Sequence, residues 1–246
     1  MVATPSAPSP TQNLKEIEEL TISIGIKGLN PTMLSAEYLS MSGIVPSDWE
    51  LAKQPVLNPR GSQVNYKNGV NIVAQPNVIN FVEGVGTKQL NELSFANLAL
   101  QYIDKLANAE YQGLSINPKI IVPFQGDESV GKNFINQELL KPGNWSTFEG
   151  ASPQSAINLF YQLTDYNLGI NINPARLQQP DNQVIPAVLF AGSFTYNLTV
   201  LEGVNRLNNL KEKINKWQDN LTTFRSLINE KFLKKAVSQQ ESLFDN

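Results

Sequence analysis

Apolar and polar side chains alternate from Leu20 to Ile26, with residues 20, 22, 24 and 26 apolar. A period of two predicts a half-buried β-strand. It should end at Asn30-Pro31, because proline has no N–H to give a ladder. Met33, Leu34, Ala36 and Tyr38 fit either a short helix or an irregular strand. A hairpin is expected next, with runs at 63–66 and 70–73 flanking Asn68-Gly69, two residues that tolerate positive φ. Gln75-Pro76-Asn77 makes another turn, and Val78-Ile79-Asn80-Phe81-Val82 a third strand. Leu90, Leu93, Phe95, Leu98, Tyr102 and Leu106 then fall near one face of a helix over 88–107.

The second half reads similarly. Strands are expected at 155–163, 167–173 and 184–197, followed by a helix from about 200. Val184–Phe190 has no polar residue on either alternating face, which suits a strand buried on both sides. Pro186 within it suggests an edge or a bulge. Short matches join the halves: Gly113–Pro118 with Gly169–Pro174, and Pro46-Ser47-Asp48-Trp49 with Pro142-Gly143-Asn144-Trp145. A duplication would explain them. So would asparagine and proline ending several strands independently.

The C-terminal pattern is the longest. Thr199 and Glu202 have the spacing of a capping box. Val200, Val204, Leu207, Leu210, Ile214, Trp217, Leu221, Phe224 and Ile228 follow at intervals of three and four. That is close to a heptad stripe, and an unbroken helix over 200–236 would run about 55 Å. Thr222-Thr223 is the expected weak point. Residues 203–237 carry eight basic and three acidic side chains, so the rest of the chain is net acidic. The stripe can pack on the protein's own sheet, meet a second copy or partner helix, or lay a basic face on an anionic surface.

Composition narrows the chemistry. The 246 residues include no Cys and no His. Disulfides, Cys/His zinc sites, thiolate nucleophiles and histidine general bases are therefore impossible. The 28 Asn and 17 Gln outnumber the 19 basic and 22 acidic residues together, and read as turn formers and neutral surface. A pI near 5.2 argues against a nucleic-acid binder. No apolar run reaches the ~18 residues of a membrane span, and residues 1–10 have no apolar signal core. A bacterial, cytoplasmic protein is the expectation.

One segment resembles a phosphate-binding loop. Lys119–Phe124 is an apolar run leading into Gly126-Asp127-Glu128-Ser129-Val130-Gly131-Lys132. Backbone amides of such a loop cradle phosphates and its lysine meets the terminal ones. Asn133 stands where a magnesium-binding hydroxyl belongs, and Asp127 and Glu128 bring negative charge. Ser129 and Lys132 also form S-x-x-K, a serine-nucleophile spacing, without its companion elements. Gly84 and Gly86 precede the first helix but lack the third glycine of a dinucleotide site. Trp49, Trp145, Tyr161 and other aromatics suit either core or a pocket wall.

The expected protein is α+β, with antiparallel sheet, helices packed on one face and a long C-terminal helix. Residues 1–14 and 238–246 read as tails, with α+β halves at 15–109 and 110–237 forming two units or one. The expected function is non-enzymatic: an interaction or assembly protein of unknown pathway. It would pair with a protein partner or with itself through Leu207, Leu210, Ile214, Trp217, Leu221, Phe224 and Ile228. The rival is an enzyme or binding protein for a phosphorylated ligand held by Gly126, Ser129, Gly131 and Lys132. The sequence assigns no catalytic residue, cofactor, metal, specific nucleic acid or membrane span.

Overall fold

The computed structural model describes residues 15–179, 182–198 and 203–234. The expected tails and the Thr199–Glu202 capping box lie outside the described residues. The elements are β1 (Ile17–Ile26), α1 (Ala36–Met41), β2 (Ser62–Asn65), β3 (Val70–Gln75), β4 (Val78–Gly84), α2 (Phe95–Lys105) and β5 (Tyr111–Pro123). They continue with α3 (Val130–Asn133), β6 (Ile157–Gln162), β7 (Asn167–Gln178), β8 (Val184–Asn197), α4 (Gly203–Asn215) and α5 (Trp217–Ser226). Wider π-type turns extend α3 over Phe134–Leu139 and α5 over Leu227–Phe232.

All eight strands form one antiparallel sheet, in the order β2-β3-β4-β1-β5-β8-β7-β6. Read outward from the centre, β1-β4-β3-β2 on one side has the same order as β5-β8-β7-β6 on the other. The two central strands pair from Ile17↔Ile121 to Ile26↔Tyr111, so both halves share one sheet.

The alternation sorts the faces. Leu20, Ile22, Ile24, Ile72, Phe81, Ile116, Ile172, Phe190 and Phe194 are buried under the helices. The opposite face is open and amide-rich. One row crosses all eight strands as Gln63, Val73, Asn80, Ser23, Ser115, Thr195, Asn167 and Gln162. Seven of these eight are Asn, Gln, Ser or Thr, which accounts for part of the amide excess. An antiparallel sheet tolerates one solvated face, and small neutral side chains suit it.

The hairpin at Asn68-Gly69 forms as its residues dictate. Gly69 has φ +90° and Asn68 Oδ1 accepts from Val70 N at 3.1 Å. The first helix starts later than expected. Residues 90–92 form a separate 3₁₀ turn, and α2 begins at Phe95, where the buried Glu83 carboxylate caps it.

The prolines overturn a simpler expectation. Pro118 and Pro174 lie inside β5 and β7 instead of ending them. The β5–β8 ladder passes from Ile116↔Phe194 to Lys119↔Ala191, bridging Pro118 without a pairing there. Pro186 is on neither an edge strand nor a bulge: β8 runs between β5 and β7, and Pro186 sits where β5 pairing ends, its C=O accepting from Phe124 N at 2.9 Å. The Gly113–Pro118 and Gly169–Pro174 matches fall on β5 and β7, which are not equivalent positions in the two strand orders. The two Pro-x-Asp/Asn-Trp segments do occupy equivalent connectors.

The C-terminal stripe is core, which corrects its assignment as an interaction surface. Leu210, Ile214, Trp217, Leu221, Phe224 and Ile228 are all buried, and Leu207 is half-buried against the same cluster. Gly192 on β8 lets this helix approach, since a Cβ there would lie 2.7 Å from the Phe224 ring. Asn220 Nδ2 donates to Tyr196 Oη at 2.8 Å beneath it. Arg225 Nε donates to Glu18 Oε1 at 2.9 Å, and this bond raises the guanidinium pKa. The break falls at Lys216, not at Thr222-Thr223. Threonine's weak propensity is overridden because Leu221 and Phe224 are anchored in the core.

Candidate functional site

The glycine loop is a strand-to-helix turn held together by its own side chains. Ser129 donates to Asp127 Oδ1 through its N–H at 2.8 Å and its Oγ at 2.6 Å. These bonds hold the Asp127 carboxyl below the usual carboxylate range. Asn133 Nδ2 donates to Ser129 Oγ at 2.9 Å, and Lys132 Nζ to Ser152 O at 2.9 Å. Glu128 pairs with Arg176 at 2.8 Å.

Both glycines have packing reasons. Gly126 has φ +129°, and a Cβ there would meet Val130 Cγ2 at 2.4 Å. A Cβ on Gly131 would lie 2.6 Å from Ala187 O, so the glycine lets α3 press onto β8. The structure thus brings Gly126, Ser129, Gly131 and Lys132 together, with the hydroxyl and the amine both engaged within the chain. A bound phosphate would have to displace these bonds and tolerate Asp127.

The outer end of the second half is different. Trp145, Phe148, Phe160 and Tyr161 are 45%, 76%, 66% and 41% exposed. Among the described residues, these are the aromatic side chains that stand out as exposed, and they fall in one stretch of chain. Large apolar side chains left in water cost free energy, and aromatics are enriched where proteins meet.

Phe160 projects from the open face of β6, opposite Gly169 of β7. Beside it is a shallow depression of about 400 Å³, floored by Gly169, Ala191 and Ser193. On the helix side, Ile157 and Leu159 are half-buried against the core. Of these residues, the sequence reading named Trp145 and Tyr161 as pocket or core aromatics and did not single out Phe148 or Phe160. The available signal was a strand with apolar residues on both alternating faces and no charge.

Other polar groups are structural. Glu83, 1% exposed, meets Lys88 Nζ at 2.5 Å and accepts from the N–H groups of Ser94 and Phe95 at 2.7 and 2.9 Å. Tyr66 is pushed up to about 12 by burial and then by the Glu37 carboxylate. Burial likewise raises Tyr102 and Tyr111, and Tyr111 Oη donates to Leu106 O at the end of α2. A smaller, partly open pocket of about 190 Å³ is lined by Leu34, Tyr38 and Tyr102. That is below the roughly 300–1,000 Å³ of ordinary ligand pockets. Among the described residues, no three acidic side chains converge as a metal site, and no helix is long and apolar enough to cross a membrane.

No known family model matches the chain, and no curated protein is detectably similar to it.

Proposed function

We propose that this is a non-enzymatic assembly protein whose working surface is the β6 end of the sheet. The observation that carries the reading is the uncharged outer strand Ile157–Gln162, with Phe160 and Tyr161 presented to solvent and Trp145 and Phe148 exposed in the connector before it. This replaces the C-terminal stripe as the surface, because that stripe is occupied by the protein's own core. The repeated strand order and the equivalent tryptophan segments support an internal duplication in which one copy kept its outer edge available. A bacterial cytoplasmic setting belongs to the same proposal and rests on the sequence alone. The rival reading, a phosphorylated ligand at Gly126–Asn133, has less support, since Ser129 and Lys132 are already bonded internally.

Photo-crosslinking in the source cells tests this. A benzophenone side chain replaces Phe148 or Phe160, with the 90%-exposed Met41 as control. Protein adducts at 148 or 160 and none at 41 are expected. Absence of adducts at both positions overturns the reading.

A further inference from the structure

We propose that the partner of this surface is a second copy of the chain, joined edge to edge through β6 about a two-fold axis at Phe160. This rests on the assembly reading above and names its partner. The result would be a continuous sixteen-stranded sheet, two copies of the eight-stranded one.

The first observation is the state of the two sheet edges. Val56 and Gln63 exchange backbone bonds at 2.9 and 2.8 Å, and Ala52 N donates to Asn65 O at 2.9 Å, so β2 is covered. Among the described residues, no strand lies beyond β6. It also lacks the usual protections of an edge. Its six residues contain no charge and no proline, and they pair with β7 without a bulge.

The second observation is backbone phase. Leu163 N donates to Tyr166 O at 3.1 Å, in the register of the β6–β7 ladder. Antiparallel bonding alternates along a strand. Residues 157, 159, 161 and 163 therefore bond inward, while Asn158, Phe160 and Gln162 point their N–H and C=O groups outward.

The third is self-complementarity. A two-fold axis normal to a sheet keeps each face on its own side, so it must pass midway between one residue and its own copy. With Phe160 on the axis, Phe160 faces its copy, Asn158 faces Gln162, Leu159 faces Tyr161 and Ile157 faces Leu163. Every amide meets an amide and every apolar side chain an apolar one. The outward-pointing residues pair with one another, so their backbone groups are satisfied. An axis at Leu159 would set Asn158 against Phe160, and one at Tyr161 would set Phe160 against Gln162. Only the central register is matched throughout. Cross-strand aromatic and aliphatic pairs of this kind stabilise a sheet.

The test is light scattering on the purified full chain at rising concentration. Wild type should reach twice the 27.2 kDa chain mass. Phe160→Lys and Phe160→Glu each place like charges opposite one another. Each should weaken the dimer roughly tenfold or more, with unchanged circular dichroism, because this side chain is exposed. Mixing the two variants should restore the dimer, since lysine then faces glutamate. A monomeric wild type, a dimer indifferent to both variants, or a mixture that stays monomeric overturns the proposal. If the purified chain is monomeric yet crosslinks at Phe160 to another protein in cells, the self-pairing fails while the assembly reading stands.

Discussion

The two ends of the sheet have the same place in a repeated strand order and opposite surroundings. In the first half the connector runs back along β2, and Trp49 packs edge-on to Tyr66 with ring centroids 5.3 Å apart. In the second half the connector is tied to the α3 region instead, through Lys132 to Ser152 O and Asn136 to Pro153 O. Its tryptophan, Trp145, remains 45% exposed, and among the described residues no strand lies beyond β6. Strand order alone does not decide whether a sheet closes or invites pairing. The path of one connector does, because it either satisfies the outer row of backbone groups or leaves them to be satisfied elsewhere.

The contrast is sharpest in the ionic groups. Glu83→Ala should cost about 3 kcal/mol in urea denaturation, since it removes the ion-pair partner of Lys88 and uncaps α2. Glu128→Ala should cost at most about 0.5 kcal/mol, because its partner Arg176 is 65% exposed and water screens the pair. Equal losses would mean that the halves are not differently consolidated.

The paired tryptophans come next. Trp49→Ala should lose about 2 kcal/mol through its contact with Tyr66, while Trp145→Ala stays within about 0.5 kcal/mol in the same assay. A large loss at Trp145 would show that the second connector is as firmly docked as the first.

Tyr66 adds a pH dependence to the covered edge. Its folded pKa is raised, to about 12, so its contribution is fully present below the ordinary tyrosine value near 10. It should be lost progressively as pH rises from there through about 12, when the unfolded chain ionises first. Alkaline melting curves of wild type and Tyr66→Phe should diverge only in that window.

A smaller loss than at Glu83 or Trp49 should come from uncovering the first edge. Val56→Pro removes the N–H that Val56 donates to Gln63 O, for about 1 kcal/mol of stability. It should also make the chain associate more readily, a change read by light scattering. No added association would mean that the exposed β2 backbone is not by itself sufficient for pairing.

Much of this architecture was legible along the chain. Alternation located β1 outright and helped place the hairpin strands, since a period of two leaves a one-sided sheet little choice of which residues to bury, whereas the central β5 showed only as an apolar run before the glycine loop. Asn68-Gly69 and Gln75-Pro76-Asn77 specified turns through backbone preference alone, and Asn77 adopts φ +66°. The absence of Cys and His settled which side-chain chemistry is impossible, because that depends only on inventory.

Tertiary structure decided the rest. The heptad-like stripe states that one helix face is buried but not against what, and here Gly192 and Asn220 bring it onto the protein's own sheet. Pro118 read locally as a strand end and Pro186 as an edge or a bulge, yet neighbouring strands carry the ladder past both. The glycines of the phosphate-like loop are required by Val130 and by the Ala187 carbonyl, contacts that no local pattern encodes. The exposure of Phe160 is likewise invisible in its own strand. It follows from which face of the sheet the helices cover and from which edge the connector covers, and both are set by residues far away in the chain.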